Sequence, residues 1–104
     1  MTVKELITAL KVTNISVYYT RADEKATLPY MVVNDYAERY DSADNGIDDK
    51  TVSVQIDYYT TTPFDENKTV ILNTLSYNEI LPRYSRYYLE DEKVYQHIFD
   101  VDIR

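Results

Sequence analysis

Cysteine and tryptophan are missing from this 104-residue sequence, and glycine and histidine occur once each. Without cysteine there is no disulfide framework, no thiolate nucleophile and no cysteine-rich zinc site. A lone glycine, Gly46, cannot build a phosphate-cradling loop, which needs several residues that let backbone amides approach a ligand. Positive charge is scarce as well: 11 Lys and Arg against 18 Asp and Glu leave a net charge of −7 and a pI near 4.5. Such a chain does not gather phosphate backbones or anionic lipid by long-range attraction. No apolar run is long enough for a signal peptide or a membrane span, so the chain is expected to be made and kept in a cytoplasm. In that setting Asn14-Ile15-Ser16 and Asn67-Lys68-Thr69 are chance matches to the glycosylation pattern.

What is present in excess is tyrosine, with 12 residues against 2 Phe. Hydrophobic residues reach 44% and charged residues 28%, which is globular rather than disordered, and the length suits one domain spanning residues 1–104 with one core. Thr2 followed by Glu5 reads as a capping box, and Val3, Leu6, Ile7 and Leu10 then recur at helical spacing. Residues 15–20 are β-branched and aromatic, a strand pattern, and residues 21–27 are polar enough for a loop. After Pro29, residues 30–40 predict a long strand that leaves the core and projects at its outer end. Asn45-Gly46 supplies the positive φ angles of a tight turn within residues 41–50, and a hairpin follows. In residues 51–60 Val52, Val54, Ile56 and Tyr58 share one face, while Ser53, Gln55, Asp57 and Tyr59 share a wetter one. Asp65 and Glu66 favour a helix start, with Phe64, Lys68, Ile71, Leu72 and Leu75 as its buried stripe over residues 65–76. Residues 84–89 and 93–103 read as a second hairpin joined by Glu90-Asp91-Glu92. The expected architecture is α+β: one mainly antiparallel or mixed sheet of about five strands with both helices on one face, in the order α-β-β-β-α-β-β.

Candidate sites for chemistry weigh toward plain structural readings, while the 18 acidic residues allow many carboxylate pairs whose spacing in space the sequence does not give. The acidic run from Asp41 through Asp44, Asp48 and Asp49 resembles a calcium loop, but with Gly46 at the invariant glycine position Ala43 and Val52 replace two oxygen donors. It reads as a solvated hairpin loop. His97 lacks a second histidine or a nucleophile motif and reads as a satisfied structural histidine. Arg83-Tyr84-Ser85-Arg86-Tyr87-Tyr88 interleaves bases with aromatics as single-strand binders do, yet it is one short segment in an acidic chain. No serine lies in a nucleophile-elbow context, and no cofactor or catalytic role is assigned to any residue. The doublets Tyr18-Tyr19, Tyr58-Tyr59 and Tyr87-Tyr88 fall within strands, so with the helices on one face each should bury one ring in the core and present the other on the far face; protein contacts and tyrosine's plain preference for strands account for the outer rings equally well.

The order of these features carries a resemblance. A short helix leads to Val17-Tyr18-Tyr19, then come Leu28-Pro29-Tyr30-Met31-Val32-Val33, Ser42-Ala43-Asp44-Asn45 and Val54-Gln55-Ile56-Asp57-Tyr58-Tyr59-Thr60. A helix follows the Pro63 break, and Leu89-Glu90-Asp91-Glu92-Lys93-Val94-Tyr95 precedes the last strand. Over nearly its whole length the chain resembles the small tail terminator, or tail completion, proteins of long-tailed bacteriophages and prophages of Gram-positive bacteria. The resemblance implies a non-enzymatic subunit that forms a ring, six-membered, on the head-proximal end of a tail tube, where it stops tube growth and joins the tail to the head connector. The implied partners are copies of itself, the tail tube protein and the connector or stopper protein, with no membrane and with DNA only as passing cargo. Its place is then the tail-head junction of the virion, and the host cytoplasm during assembly. Family members have a long loop between the second and third strands, corresponding to residues 41–50; by analogy that loop and residues 21–27 are expected to make contacts, and the candidate residues are Arg21, Asp23, Glu24, Lys25, Tyr40, Asp41, Asp44, Asn45, Asp48, Asp49, Lys50 and Tyr59. A head-closure protein of the same neck, or a general protein-binding adaptor, fits the same features.

Overall fold

A computed structural model describes residues 1–43 and 46–104. Two helices, α1 (Val3–Leu10) and α2 (Glu66–Tyr77), accompany five strands: β1 (Ser16–Tyr19), β2 (Tyr30–Ala43), β3 (Gly46–Thr60), β4 (Arg83–Leu89) and β5 (Val94–Ile103). The strands form one mixed sheet in the order β1-β2-β3-β5-β4, with β1 parallel to β2 and every other pair antiparallel. The α+β class and the α-β-β-β-α-β-β order are as the hydrophobic periodicities predict.

α1 begins where the capping box places it. The Thr2 hydroxyl accepts from the Glu5 amide at 3.1 Å and the Glu5 carboxylate accepts from the Thr2 amide at 2.9 Å, so two free donors of the first turn are satisfied. The helix runs into a 3-10 turn, Lys11–Thr13, and stops at Asn14, whose φ of 64° is left-handed. Asparagine tolerates that conformation better than most residues with a Cβ. α2 is capped by Asp65, whose Oδ1 accepts the Asn67 amide at 2.8 Å. The other oxygen of Asp65 accepts the Tyr58 and Thr60 hydroxyls, each at 2.8 Å, which ties the helix start to the end of β3.

Leu6 and Leu10 of α1 and Ile71 and Leu75 of α2 pack on one sheet face, against Met31 and Val33 of β2, the Val52, Val54, Ile56 and Tyr58 row of β3, and Phe99, Val101 and Ile103 of β5. Full burial of each such side chain contributes about 1.5–3 kcal/mol. Three expectations need correction. Phe64, assigned to the buried stripe of α2, is 90% exposed, because the helix begins only after the Asp65 cap and Phe64 precedes its first turn. The presumed loop of residues 41–50 is largely ladder: Tyr40 pairs with Lys50, Asp41 with Asp49 and Ala43 with Gly46. Asp44 and Asn45 lie outside the described residues. Finally, only the central doublet buries a ring in the core. Tyr58 is sealed, whereas Tyr19 and Tyr88 are about half exposed, because β1 and β4 are the outer strands and have a neighbouring strand on one side only.

β5 pairs with β3 only from Val52 to Thr60, and β1 pairs with β2 only from Tyr30 to Val33. Beyond these limits β2 and β3 continue as a two-stranded arm, so the outer end of β2 projects as its sequence suggests. The described chain is 51 Å long but only 26 and 23 Å in its other dimensions.

Two substitutions measure these supports. Ile56→Ala should cost about 2–5 kcal/mol in urea unfolding, because it opens a cavity beneath both helices. Asp65→Ala should cost about 2 kcal/mol, through the lost cap and the weakened Tyr58 tie. Burial pushes the Asp65 carboxyl up, but the Asn67 amide and the Thr60, Tyr58 and Thr62 hydroxyls together hold it below its ordinary 3.8. Its contribution is therefore fully present above pH 3.8 and lost as pH falls through the lower folded value, so wild type and variant should converge in acid.

Candidate interaction surfaces

Strand register sorts the sheet's other side chains onto the face away from the helices. Tyr30 pairs with Tyr59, Tyr59 with Gln96, and Gln96 with Tyr87; one row along, Val32 pairs with Asp57, Asp57 with Ile98, and Ile98 with Ser85. Tyr18 closes edge-on against Tyr30 with ring centroids 5.9 Å apart, and Tyr30 tilts against Tyr59 at 5.3 Å. These rings and Ile98 surround a small patch that the sequence pattern assigns to the wetter side. Val32 and Asp57 within it are buried, at 8% and 9% exposure.

Asp57 is the chemically unusual member. Gln55 donates to both of its oxygens at 2.9 and 3.2 Å, and no cation pairs with it among the described residues. Burial pushes its carboxyl above the ordinary value, although the Gln55 and Gln96 amides oppose the shift. Burial, with the charge of Asp57 beside it, also pushes the Tyr59 hydroxyl up to about 12. Sequence reasoning missed the burial of Asp57 because alternation assigns a residue to a face but not to a depth on that face.

The arm carries a second group. Tyr40 is half exposed and its hydroxyl donates to Glu38, while Lys50 lies 3.7 Å from the same carboxylate. Asp41 is exposed, and Asp48 and Asp49 fall within β3. Arg21, Asp23, Glu24 and Lys25 are exposed in the β1–β2 connection, where the Asp23 carboxylate accepts the Lys25 amide at 3.2 Å. No hydrogen bond or ion pair joins that connection to the arm among the described residues. The candidates therefore fall into three places: connection, arm and far face, the last holding Tyr59.

On the helix face the single histidine is sealed. His97 Nδ1 lies 2.7 Å from the Tyr84 hydroxyl, its ring packs against Tyr58 at 5.6 Å, and Nε2 is buried without a hydrogen-bond partner. The expectation of a satisfied histidine holds for one nitrogen only. Burial lowers the pKa of the ring, with the Thr62 backbone opposing, so the neutral form is favoured. With no exposed surface, it cannot reach a ligand in this conformation.

Nearby, the Arg83 to Tyr88 run loses the character of a single-strand binder. Arg83 pairs with Asp100 at 3.3 Å on the far face, while Arg86 bonds the Pro63 carbonyl at 3.1 Å and stacks over Phe64 and Tyr95 on the helix side. Between the helices a groove of about 620 Å³ is lined mainly by apolar groups, with Val12, Val70 and Tyr77 at its mouth. No group of three His, Cys, Asp or Glu is placed to hold a metal ion among the described residues.

The buried carboxylate gives a signed prediction. A raised folded pKa means that the folded state keeps the proton longer, so the Asp57 charge reduces stability as pH rises from 3.8 through the folded value and at every pH above it. Asp57→Asn should therefore raise the melting temperature at pH 7, with the gain vanishing below pH 3.8, as followed by circular dichroism. Compared with known proteins, the chain matches no family model and no curated protein is significantly similar to it.

Proposed function

We propose that the chain is a structural virion assembly protein that forms a ring at the head-proximal end of a phage tail tube, stops tube growth and joins the tail to the head connector. The observation that carries this reading is the projecting β2–β3 arm, a ladder that continues past the limits of β1 and β5 to the pair Ala43 and Gly46. A hairpin that leaves its domain gains stability by packing on something else. The position of the arm in the chain agrees with the segment that the resemblance assigns to contacts with neighbouring subunits.

Further support comes from surface composition. Tyr36, Tyr40 and Tyr87 are each more than half exposed, and aromatic side chains with a polar tip are favoured at protein contacts. The net charge of −7 suits a ring through which DNA passes without adhering. A terminator or connector-side role in the same neck draws on the same surfaces. The adaptor reading is favoured by one feature, the apolar groove between α1 and α2, which is shaped to receive a partner's side chains.

Light scattering over a concentration series should give an oligomer, six-membered in the reading above, and negative-stain microscopy with tail tube protein should show rings capping the tubes. A strict monomer that ignores tubes removes the proposal. Tyr40→Ala should weaken association by about 2 kcal/mol, the scale of an interface anchor, while unfolding shifts by no more than about 0.5 kcal/mol.

A further inference from the structure

Among the described residues, two of the open sheet edges, that of β4 and that of the outer half of β2, lie on opposite flanks. β4 has β5 on one side and no strand on the other. On the far flank β1 covers β2 only as far as Val33, whose carbonyl accepts the Thr20 amide at 2.9 Å, and the Tyr19 hydroxyl reaches Asp35. From residue 36 to residue 43 no described residue pairs with the outer edge of β2; its inner edge is bonded to β3 from Ala37 to Ala43, with register shifts at Asp35/Ala37 and at Asp41/Ser42.

Open edges attract strands, and folded proteins usually blunt them with proline, lysine, bulges or short length. β4 uses none of these devices. It runs seven residues, Arg83–Leu89, in unbroken register with β5 and contains no proline, glycine or lysine. Its two arginines are turned back onto the sheet's own faces, Arg83 toward Asp100 and Asp102, and Arg86 toward the Pro63 carbonyl and the rings of Phe64 and Tyr95. What remains along the edge is Tyr84, Ser85, Tyr87, Tyr88 and Leu89, a stretch rich in good strand formers.

The outer half of β2 is a suitable occupant. Residues 36–43 are eight in an extended conformation, close to the length of β4. They carry Glu38 and Asp41 against one arginine, Arg39, whereas β4 carries two arginines and no acid. In a chain of net charge −7, β4 brings no acid of its own to an approaching acidic edge, and of its two arginines Arg83 is already paired with Asp100 and Asp102.

We infer that residues 36–43 of one copy add as a sixth strand to β4 of the next. Main-chain hydrogen bonds between the two edges supply the affinity, and the alternating side chains supply the register. Because the paired edges sit on opposite flanks, each copy gives one and receives the other, a heterologous contact that repeats from subunit to subunit. The closure of that repeat into a ring rests on the function proposed above; the strand pairing itself does not.

The absence of cysteine allows a direct test. Ser85→Cys marks β4 and Arg39→Cys marks the arm; both native side chains are exposed, and register places both on the face away from the helices. An equimolar mixture of the two single variants, treated with a short bis-maleimide, should gain a covalent band at dimer mass that neither variant gives alone. A chain bearing both substitutions should give a ladder of higher species. Melting temperatures close to wild type show that the variants fold. If light scattering finds oligomers but the mixture does not cross-link, the pairing is wrong while the ring proposal stands. Dimers from Ser85→Cys alone overturn it in favour of β4 pairing with β4. A protein that stays monomeric at every concentration and never cross-links overturns both readings.

Discussion

β3 is bonded on both flanks from Val52 to Tyr59, to β2 on one side and to β5 on the other, and the rest of the molecule is placed by that double register. Alternation along the strand sends Val52, Val54, Ile56 and Tyr58 under the helices and Gln55, Asp57 and Tyr59 to the opposite face. A slip of one residue would exchange the two sets, exposing the core row and burying a carboxylate and an amide among leucines. The register with β5 then sets Phe99, Val101 and Ile103 beside the core row, and the register with β2 sets Met31 and Val33 there. At the end of β3, Tyr58 and Thr60 meet the Asp65 carboxylate that also caps α2, so one side chain links strand, turn and helix.

The same register leaves the chain with surfaces that its own core does not use. β3 and β2 outrun β5 and β1, which creates the arm. β4 ends the sheet without a guard, and the far face closes over Asp57 with rings and amides instead of with a second layer of helices. A carboxylate held in that setting opposes folding at neutral pH, since burial disfavours its charge. Burial of an unneutralised charge, an open edge and a projecting hairpin each work against the stability of an isolated subunit. A partner strand would satisfy the open edge and a partner surface would support the hairpin, whereas the Asp57 charge is relieved only by a group that brings it a donor or a cation.

Periodicity made most of the fold legible in the sequence. Helical spacing of Leu6 and Leu10 and of Ile71 and Leu75, together with strict alternation in residues 52–58, reports side chains whose burial is set by their own element's geometry. The Thr2 and Glu5 pair was equally readable, since a capping box closes within four residues. The arm was half readable: the pattern foretold that β2 projects, but the polar, acidic run after Tyr40 carries the composition of a loop while adopting a ladder. Backbone hydrogen bonds to a neighbouring strand can hold a segment extended when its side chains bury nothing. Phe64 shows the converse, an apolar residue at nearly helical spacing that the helix never includes.

Outside the arm and the start of α2, the sequence by itself determined what each element is and which of its faces is apolar, because those properties depend on residues a few positions apart. It also determined the charge and the shortage of groups for phosphate or thiolate chemistry. Only the tertiary structure decided depth and edges. Asp57 is buried and Tyr88 exposed because one lies on the central strand and the other on the last, and strand order is a matter of pairings between residues far apart in the chain. The open flanks of β2 and β4 follow from that order as well, since a strand's free edge is defined by which neighbours it lacks.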